Sequence, residues 1–337
     1  MLLNALWIVV GVVLVLWGAD RLTEGAVAVA ERLRVPQIVI GLTIVALGTS
    51  MPELCVSVVS ALKGTPDLGV GNVVGSNIFN ALLIVGVAAL VAPMTILRST
   101  VFKDVPCALV ASVVLLMMCQ NDWVITRLDG AILFVFFLVF MQLTIKGATS
   151  AHPAPQAVQD QAAEKAQDQA AEKNQTQGAE ENEASAGKRP MKGWLAGLWM
   201  VVGLAALIGG SNLFVGGATE VARALNVSDA VIGLTIVAGG TSLPELATSV
   251  VAAKKGNSGI AIGNVLGSNV LNILFILGLT GMISPMHIEG ITNVDLYMML
   301  VSTIMIWFFS FTKYTIERWE GAVLVLTFGG YMWYLLA

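Results

Sequence analysis

Charge is what this sequence has least of. Lys, Arg, Asp and Glu make up 12% of its 337 residues, where a soluble domain carries roughly a quarter. Mean hydropathy is +0.82 and 56% of residues are hydrophobic. An ordinary soluble globular protein is excluded, and no nucleic-acid partner is expected. Histidine is nearly missing too: His152 and His287 are the two, both in or near loops. Of the three cysteines, Cys55, Cys107 and Cys119, all lie inside apolar runs without metal-ligand spacing, so they read as small apolar side chains. Neither HExxH nor GxGD occurs, and no histidine in a helix core pairs with a serine, which argues against an intramembrane enzyme. No small-residue cleavage site follows the first apolar run. That run therefore reads as a first membrane helix rather than a removed signal.

What is present is a series of apolar runs near the ~20 residues a helix needs to cross the hydrocarbon layer. Ten are expected: 3–30, 36–62, 67–91, 103–119, 124–146, 194–222, 229–254, 258–283, 294–311 and 317–336. They are too long and continuous for barrel strands, so the predicted class is an all-α integral membrane protein. Residues 148–192 form an Ala/Gln/Glu-rich segment with almost nothing to build a core, read as a solvated, largely disordered linker.

Loop charges set an orientation. With the N-terminus outside, the inner side receives Arg32, Arg34, Arg98, Lys103, Lys146, Lys188, Arg189, Lys192, Lys254, Lys255, Lys313 and Arg318. Only Lys63, Arg127 and Arg223 fall outside. The bias predicts both termini outside and a cytoplasmic linker.

The sequence also repeats itself. Shifted by 192 residues, Gly41–Pro93 lies on Gly233–Pro285 without a gap, with 29 identities in 53 positions. Two five-helix halves follow, 1–147 and 193–337. Five is odd, so the second half enters the membrane in the opposite sense, the plan of secondary transporters with a site near the midplane.

The most conserved element between the halves is also the least suited to lipid. GLTIVALGTSMPELCVSVVSA carries Thr49, Ser50, Pro52 and Glu53, and GLTIVAGGTSLPELATSVVAA carries Thr241, Ser242, Pro244 and Glu245. Thr49 and Glu53 are four apart and share a helix face, with Ser50 beside them. Pro52 frees the carbonyl of Gly48, and Gly48 itself permits an unwound turn there; Gly240 and Pro244 repeat the device. Such a turn offers hydroxyls, carbonyls and a carboxylate, hard oxygen ligands suited to Ca2+ or Na+. In the next helix Asn72, Ser76 and Asn80 stand four apart, and Asn264, Ser268 and Asn272 repeat them. Both stripes should face the interior and each other, with Gly71, Gly75, Gly263 and Gly267 allowing close approach. Serines, prolines and asparagines in membrane helices often do only structural work. A carboxylate at mid-membrane costs ~3 kcal/mol or more, so Glu53 and Glu245 are functional candidates.

These paired motifs, GTSMPE with GNVVGSNIFN and GTSLPE with GNVLGSNVLN, resemble the two α-repeats of the sodium/calcium exchangers of the cation/calcium exchanger superfamily. The resemblance implies ten helices in which the second, third, seventh and eighth hold the ions, while the first and sixth slide over them. It implies acidic ligands at Glu53 and Glu245, hydroxyl ligands at Thr49, Thr241, Ser76 and Ser268, and carbonyl ligands at Ala46 and Ala238. Ser50 and Ser242 become adjacent helpers, and the central amides fall on Asn80 and Asn272. Some relatives, potassium-dependent exchangers among them, carry Asp at the place of Asn272; its absence speaks against potassium dependence and leaves two carboxylates.

The expected function is Na+/Ca2+ antiport at a plasma (inner) membrane, with Ca2+ and Na+ as transported ions and no cofactor. Lipid is the expected surrounding, and the sequence points to no protein partner. Ca2+/H+ antiport is the nearest alternative, a cation channel a more distant one. Asp20, Arg21, Glu24 and Glu220 are expected to pair locally, Asp67, Asp104 and Asp229 to start helices, and Trp123, Trp194 and Trp319 to anchor span ends.

Overall fold

The computed structural model describes residues 2–64, 66–120, 123–150, 191–225, 238–288 and 291–336. Most of the expected linker, and Asp229 and His152, lie outside the described residues. The first half supplies α1 (Leu2–Leu33), α2 (Gln37–Thr49 with Met51–Leu62), α3 (66–91), α4 (Thr100–Gln120) and α5 (Arg127–Ser150). The second supplies α6 (Gly193–Ala224), α7 (238–254), α8 (Ser258–Ile283), α9 (Asn293–Ser310) and α10 (Arg318–Leu336). Seven described helices are individually long and apolar enough to cross a membrane, and the bent α2 makes an eighth. The long α10 is diluted by Gly329, Gly330, Tyr331 and Trp333, and α7 is described only from Ala238. With them the fold is ten membrane helices in two inverted repeats.

Burial separates the helices into layers. The spans of α8 and α3 are 94% and 72% buried, whereas those of α1, α5 and α6 are only 17–28% buried. The chain thus places its polar stripes at the centre and spends its Leu, Val and Phe surface on lipid, where exposed apolar residues carry no penalty. Among the described residues the exposed tryptophans include Trp194 and Trp319, near the ends of their spans as expected.

α1 and α6 form an outer antiparallel pair held by glycines seven residues apart. Gly11, Gly18 and Gly25 face Gly210, Gly203 and Ala196, so closely that a Cβ on Gly18 would stand 2.6 Å from the Gly203 carbonyl oxygen. Only glycine permits that backbone approach.

Two short bridges, unforeseen from hydropathy, clasp the halves. β1 (Met94–Thr95) pairs antiparallel with β4 (Thr315–Ile316), and β2 (Val124–Ile125) with β3 (Met286–His287). Each bridge joins loops that a ten-span topology puts on the same membrane side. They also correct the start of α5, expected at 124: Val124 and Ile125 are spent on the bridge and the helix begins at Arg127. α4 starts at Thr100 rather than 103, through a π-helical turn, Thr100–Asp104.

Candidate functional site

Both proline motifs break their helix, though not where glycine alone would put the break. α2 bends by 47° between Thr49 and Met51, and the non-helical residue is Ser50, with φ −82° and ψ 9°. Ser242 repeats it at φ −90° and ψ 7°. Pro52 and Pro244 sit in the first turn of the new helix, where a missing N–H costs nothing. The expected unwound turn at Gly48 and Gly240 is therefore displaced to the following serines. Those glycines serve close packing instead: a Cβ on Gly48 would touch the Leu204 methyls at 3.0 Å, and one on Gly240 would collide with Val215 of α6. The break has an electrostatic result. Glu53 and Glu245 fall in the first turn of a new helix, facing free N–H groups and the positive end of its dipole.

The two carboxylates are 1% exposed, and each is held by the other half. Ser50 Oγ donates to Glu245 Oε1 at 3.0 Å, and Ser242 Oγ donates to Glu53 Oε1 at 3.1 Å. The Thr241 hydroxyl is also directed at Glu53, and Ser242 Oγ lies 3.3 Å from Ser76 Oγ. Thr49, fully buried, donates to Asn264 Oδ1 at 3.0 Å. The amide of Asn264 reaches the Glu245 carbonyl at 3.3 Å, as Asn72 reaches that of Glu53 at 3.5 Å. Asn72 and Asn264 thus brace the broken turns from the neighbouring helix.

α3 and α8 cross at the centre through four asparagines. Asn80 Nδ2 donates to Asn269 Oδ1 and Asn272 Nδ2 to Asn77 Oδ1, both at 3.0 Å. At this point each helix loosens into a π-helical stretch, Phe79–Ile84 in α3 and Asn272–Leu277 in α8. Such widenings are frequent at functional sites because they release backbone groups and turn side chains off the 3.6-residue face. Asn77 and Asn269 were not among the residues singled out from sequence; they follow Ser76 and Ser268 directly and so lie off the four-residue stripe.

Several oxygens at this centre remain without a protein donor. Glu53 Oε2, Glu245 Oε2, Asn80 Oδ1, Asn272 Oδ1 and Ser268 Oγ are buried and unpaired among the described residues. A buried polar atom left so costs ~1–3 kcal/mol, more when charged. No cluster of three or more His, Cys, Asp or Glu exists among the described residues, so a cation here would be met by two carboxylates and neutral oxygens. The Ala46 carbonyl already accepts from the Ser50 N–H at 3.0 Å, with the Thr49 hydroxyl 3.4 Å away. Ala238 is the first described residue of α7 and stands in the helical turn Ala238–Thr241 that leads to the second break.

The peripheral charges pair away from this centre. Arg21 bridges Asp20 at 2.6 Å and Glu24 at 2.8 Å, and Lys255 reaches Asp20 at 2.5 Å, tying α1 to the end of α7. Glu220 pairs with Arg223 at 2.9 Å on the surface.

Comparison with known proteins places this arrangement. The family described as sodium/calcium exchanger protein matches residues 3–146 and 195–337. The sodium/calcium exchanger MaX1 of Methanosarcina acetivorans is 34% identical, over 98% of this chain and 97% of its own. The inner membrane protein YrbG of Escherichia coli is 32% identical, over 99% and 96%. Among solved structures, the sodium-calcium exchanger NCX_Mj, soaked with 2.5 mM Na+ and 1 mM Sr2+, superposes with a TM-score of 0.79 at 27% identity, over 100% of this chain and 99% of that one. Duplicated broken helices and a buried carboxylate in each half are thus features of a transporter, not an enzyme, and the chain belongs to the sodium/calcium exchanger family of multi-pass membrane antiporters.

Proposed function

We propose that this protein exchanges Na+ for Ca2+ at the centre built by α2, α3, α7 and α8. One observation carries the reading: Glu53 Oε2, Glu245 Oε2, Asn80 Oδ1, Asn272 Oδ1 and Ser268 Oγ are buried with no hydrogen-bond partner among the described residues. Two carboxylates balance one Ca2+, and the neutral oxygens replace part of its hydration. The same oxygens, with the Thr49, Thr241 and Ser76 hydroxyls and the Ala46 and Ala238 carbonyls, take several Na+ in adjoining positions. Ser50 and Ser242 hold the carboxylates. Occupancy by one ion species excludes the other, which couples the two fluxes.

In this reading 1–147 and 193–337 are the two halves, both termini lie outside the plasma membrane, and the 148–192 linker is cytoplasmic. The glycine-locked pair α1 and α6 moves as one body across the ion-holding helices. Vesicles containing the purified protein and loaded with Na+ should accumulate radiolabelled Ca2+ on dilution into Na+-free medium. Uptake that follows an imposed proton gradient and ignores Na+ would reassign the coupling ion to H+. Uptake through an open pore, without counter-transport, would overturn antiport.

A further inference from the structure

We propose that Asn77 and Asn269 are positioning residues that dictate which end of the Asn272 and Asn80 side chains meets the ion. The inference rests on the ion-binding reading above and supplies the orientation of its two neutral amides. An asparagine side chain ends in an oxygen and an NH2 of similar size, and only the oxygen attracts a cation. Something must choose between the two.

The choice is made by main-chain carbonyls, which accept hydrogen bonds and cannot donate. Asn77 Nδ2 donates to the Asn269 carbonyl at 3.2 Å. Its Oδ1 is thereby left for Asn272, whose Nδ2 donates to it at 3.0 Å. The remaining atom of Asn272, Oδ1, is one of the buried acceptors without a partner among the described residues. The other half repeats the sequence. Asn269 Nδ2 donates to the Asn77 carbonyl at 3.3 Å, Asn269 Oδ1 accepts from Asn80 Nδ2 at 3.0 Å, and Asn80 Oδ1 is left unpaired among the described residues. All four side chains are at most 4% exposed, so water does not compete. Among the described residues the alternative acceptor for Asn77 Nδ2 is the Met299 thioether at 3.9 Å, a weak one. Reversing Asn272 sets oxygen against oxygen at Asn77, and reversing both sets oxygen against oxygen at the carbonyl. Each relay thus runs from fixed backbone to amide to amide to ion.

A relay of this kind has a signature that simple packing lacks. A carboxylate offers oxygen at both ends and needs no orienting partner. Asn77→Ala should raise the Ca2+ concentration for half-maximal exchange by about tenfold, the loss of one charge-directed hydrogen bond, with a smaller change in maximal rate. Placed in an Asn272→Asp background, the same Asn77→Ala change should bring no loss of half-saturation relative to Asn272→Asp alone, and a gain to the extent that it removes the Asn77 oxygen facing the new carboxylate. In an Asn80→Asp background the full loss should persist, because Asn80 is oriented by Asn269. The mirror cycle, Asn269→Ala with Asn80→Asp or Asn272→Asp, provides a second reading if one variant fails to fold. Equal losses from Asn77→Ala in every background, or no loss in the parent, overturn the relay. Glu53→Gln separates the two levels: if it too leaves Ca2+ half-saturation unchanged, the ion site itself is misplaced, whereas if it alone acts, only the relay fails.

Discussion

The two halves of the molecule share their serine–glutamate bonds and asparagine relays and differ in what packs behind them. Ser50 to Glu245 and Ser242 to Glu53 match within 0.1 Å, and the asparagine relays match just as closely. Behind the broken turns the likeness ends. In the second half Ser211 of α6 donates to the Gly240 carbonyl at 2.5 Å. The position 192 residues earlier is Ala19, which has no hydroxyl to give. Gly263 and Gly267 of α8 lie against the main chain of α2, where a Cβ on Gly263 would stand 2.6 Å from the Ile38 carbonyl oxygen. Asn264 is fully buried, Asn72 half-buried. Duplication has kept the bonds that chemistry needs twice and released the contacts that set each half's surroundings.

The strongest way to break the comparison is at the acids, where the halves should be equal. Glu53→Gln and Glu245→Gln keep the shape and remove one charge from a site with little screening, so each should lower Ca2+ exchange by roughly 100-fold or more in vesicles. Thr49→Ala and Thr241→Ala, which remove one neutral oxygen each, should cost only a few-fold. If only one glutamate mattered, the halves would differ in function as well as in packing.

Next come the contacts behind the broken turns, where the halves should be unequal. Gly263→Ala forces a side chain into the α2 backbone and should destabilise by about 1–3 kcal/mol, read as a lower melting temperature in detergent. Ser211→Ala should be milder, roughly 1 kcal/mol for one lost hydrogen bond to a freed carbonyl. Ala19→Ser, judged by the same melting curve, tests whether the first half accepts the missing hydroxyl. The smallest effect belongs to Glu24→Gln. Its pairs with Arg21 and Lys255 are partly exposed, so both stability and exchange should stay within about 1 kcal/mol of the parent.

Hydropathy and an odd-numbered duplication made the membrane helices and their inversion readable from sequence. The glutamates stood out because no lipid-facing role explains a carboxylate at that depth. Other features were hidden for stated reasons. Asn77 and Asn269 escaped because a four-residue stripe presumes a regular helix, and both helices widen into π-turns just beyond these residues. The break was read at Gly48 because glycine permits an unwound turn. The observed break at Ser50 follows from where the proline begins the next helix. Two-residue bridges such as Met94 with Ile316 depend on loops from opposite halves meeting, which no local pattern records.

Cross-half bonding also sets a timetable for biogenesis. Glu53 emerges from the ribosome 189 residues before its hydroxyl partner Ser242. At about 5–20 residues per second, that is roughly 10–40 seconds of synthesis. Throughout this interval Glu53, Thr49, Asn77 and Asn80 of the first half are in or entering the bilayer without their second-half partners. The insertion machinery, or a shell of water carried with it, has to shelter them until the second half arrives.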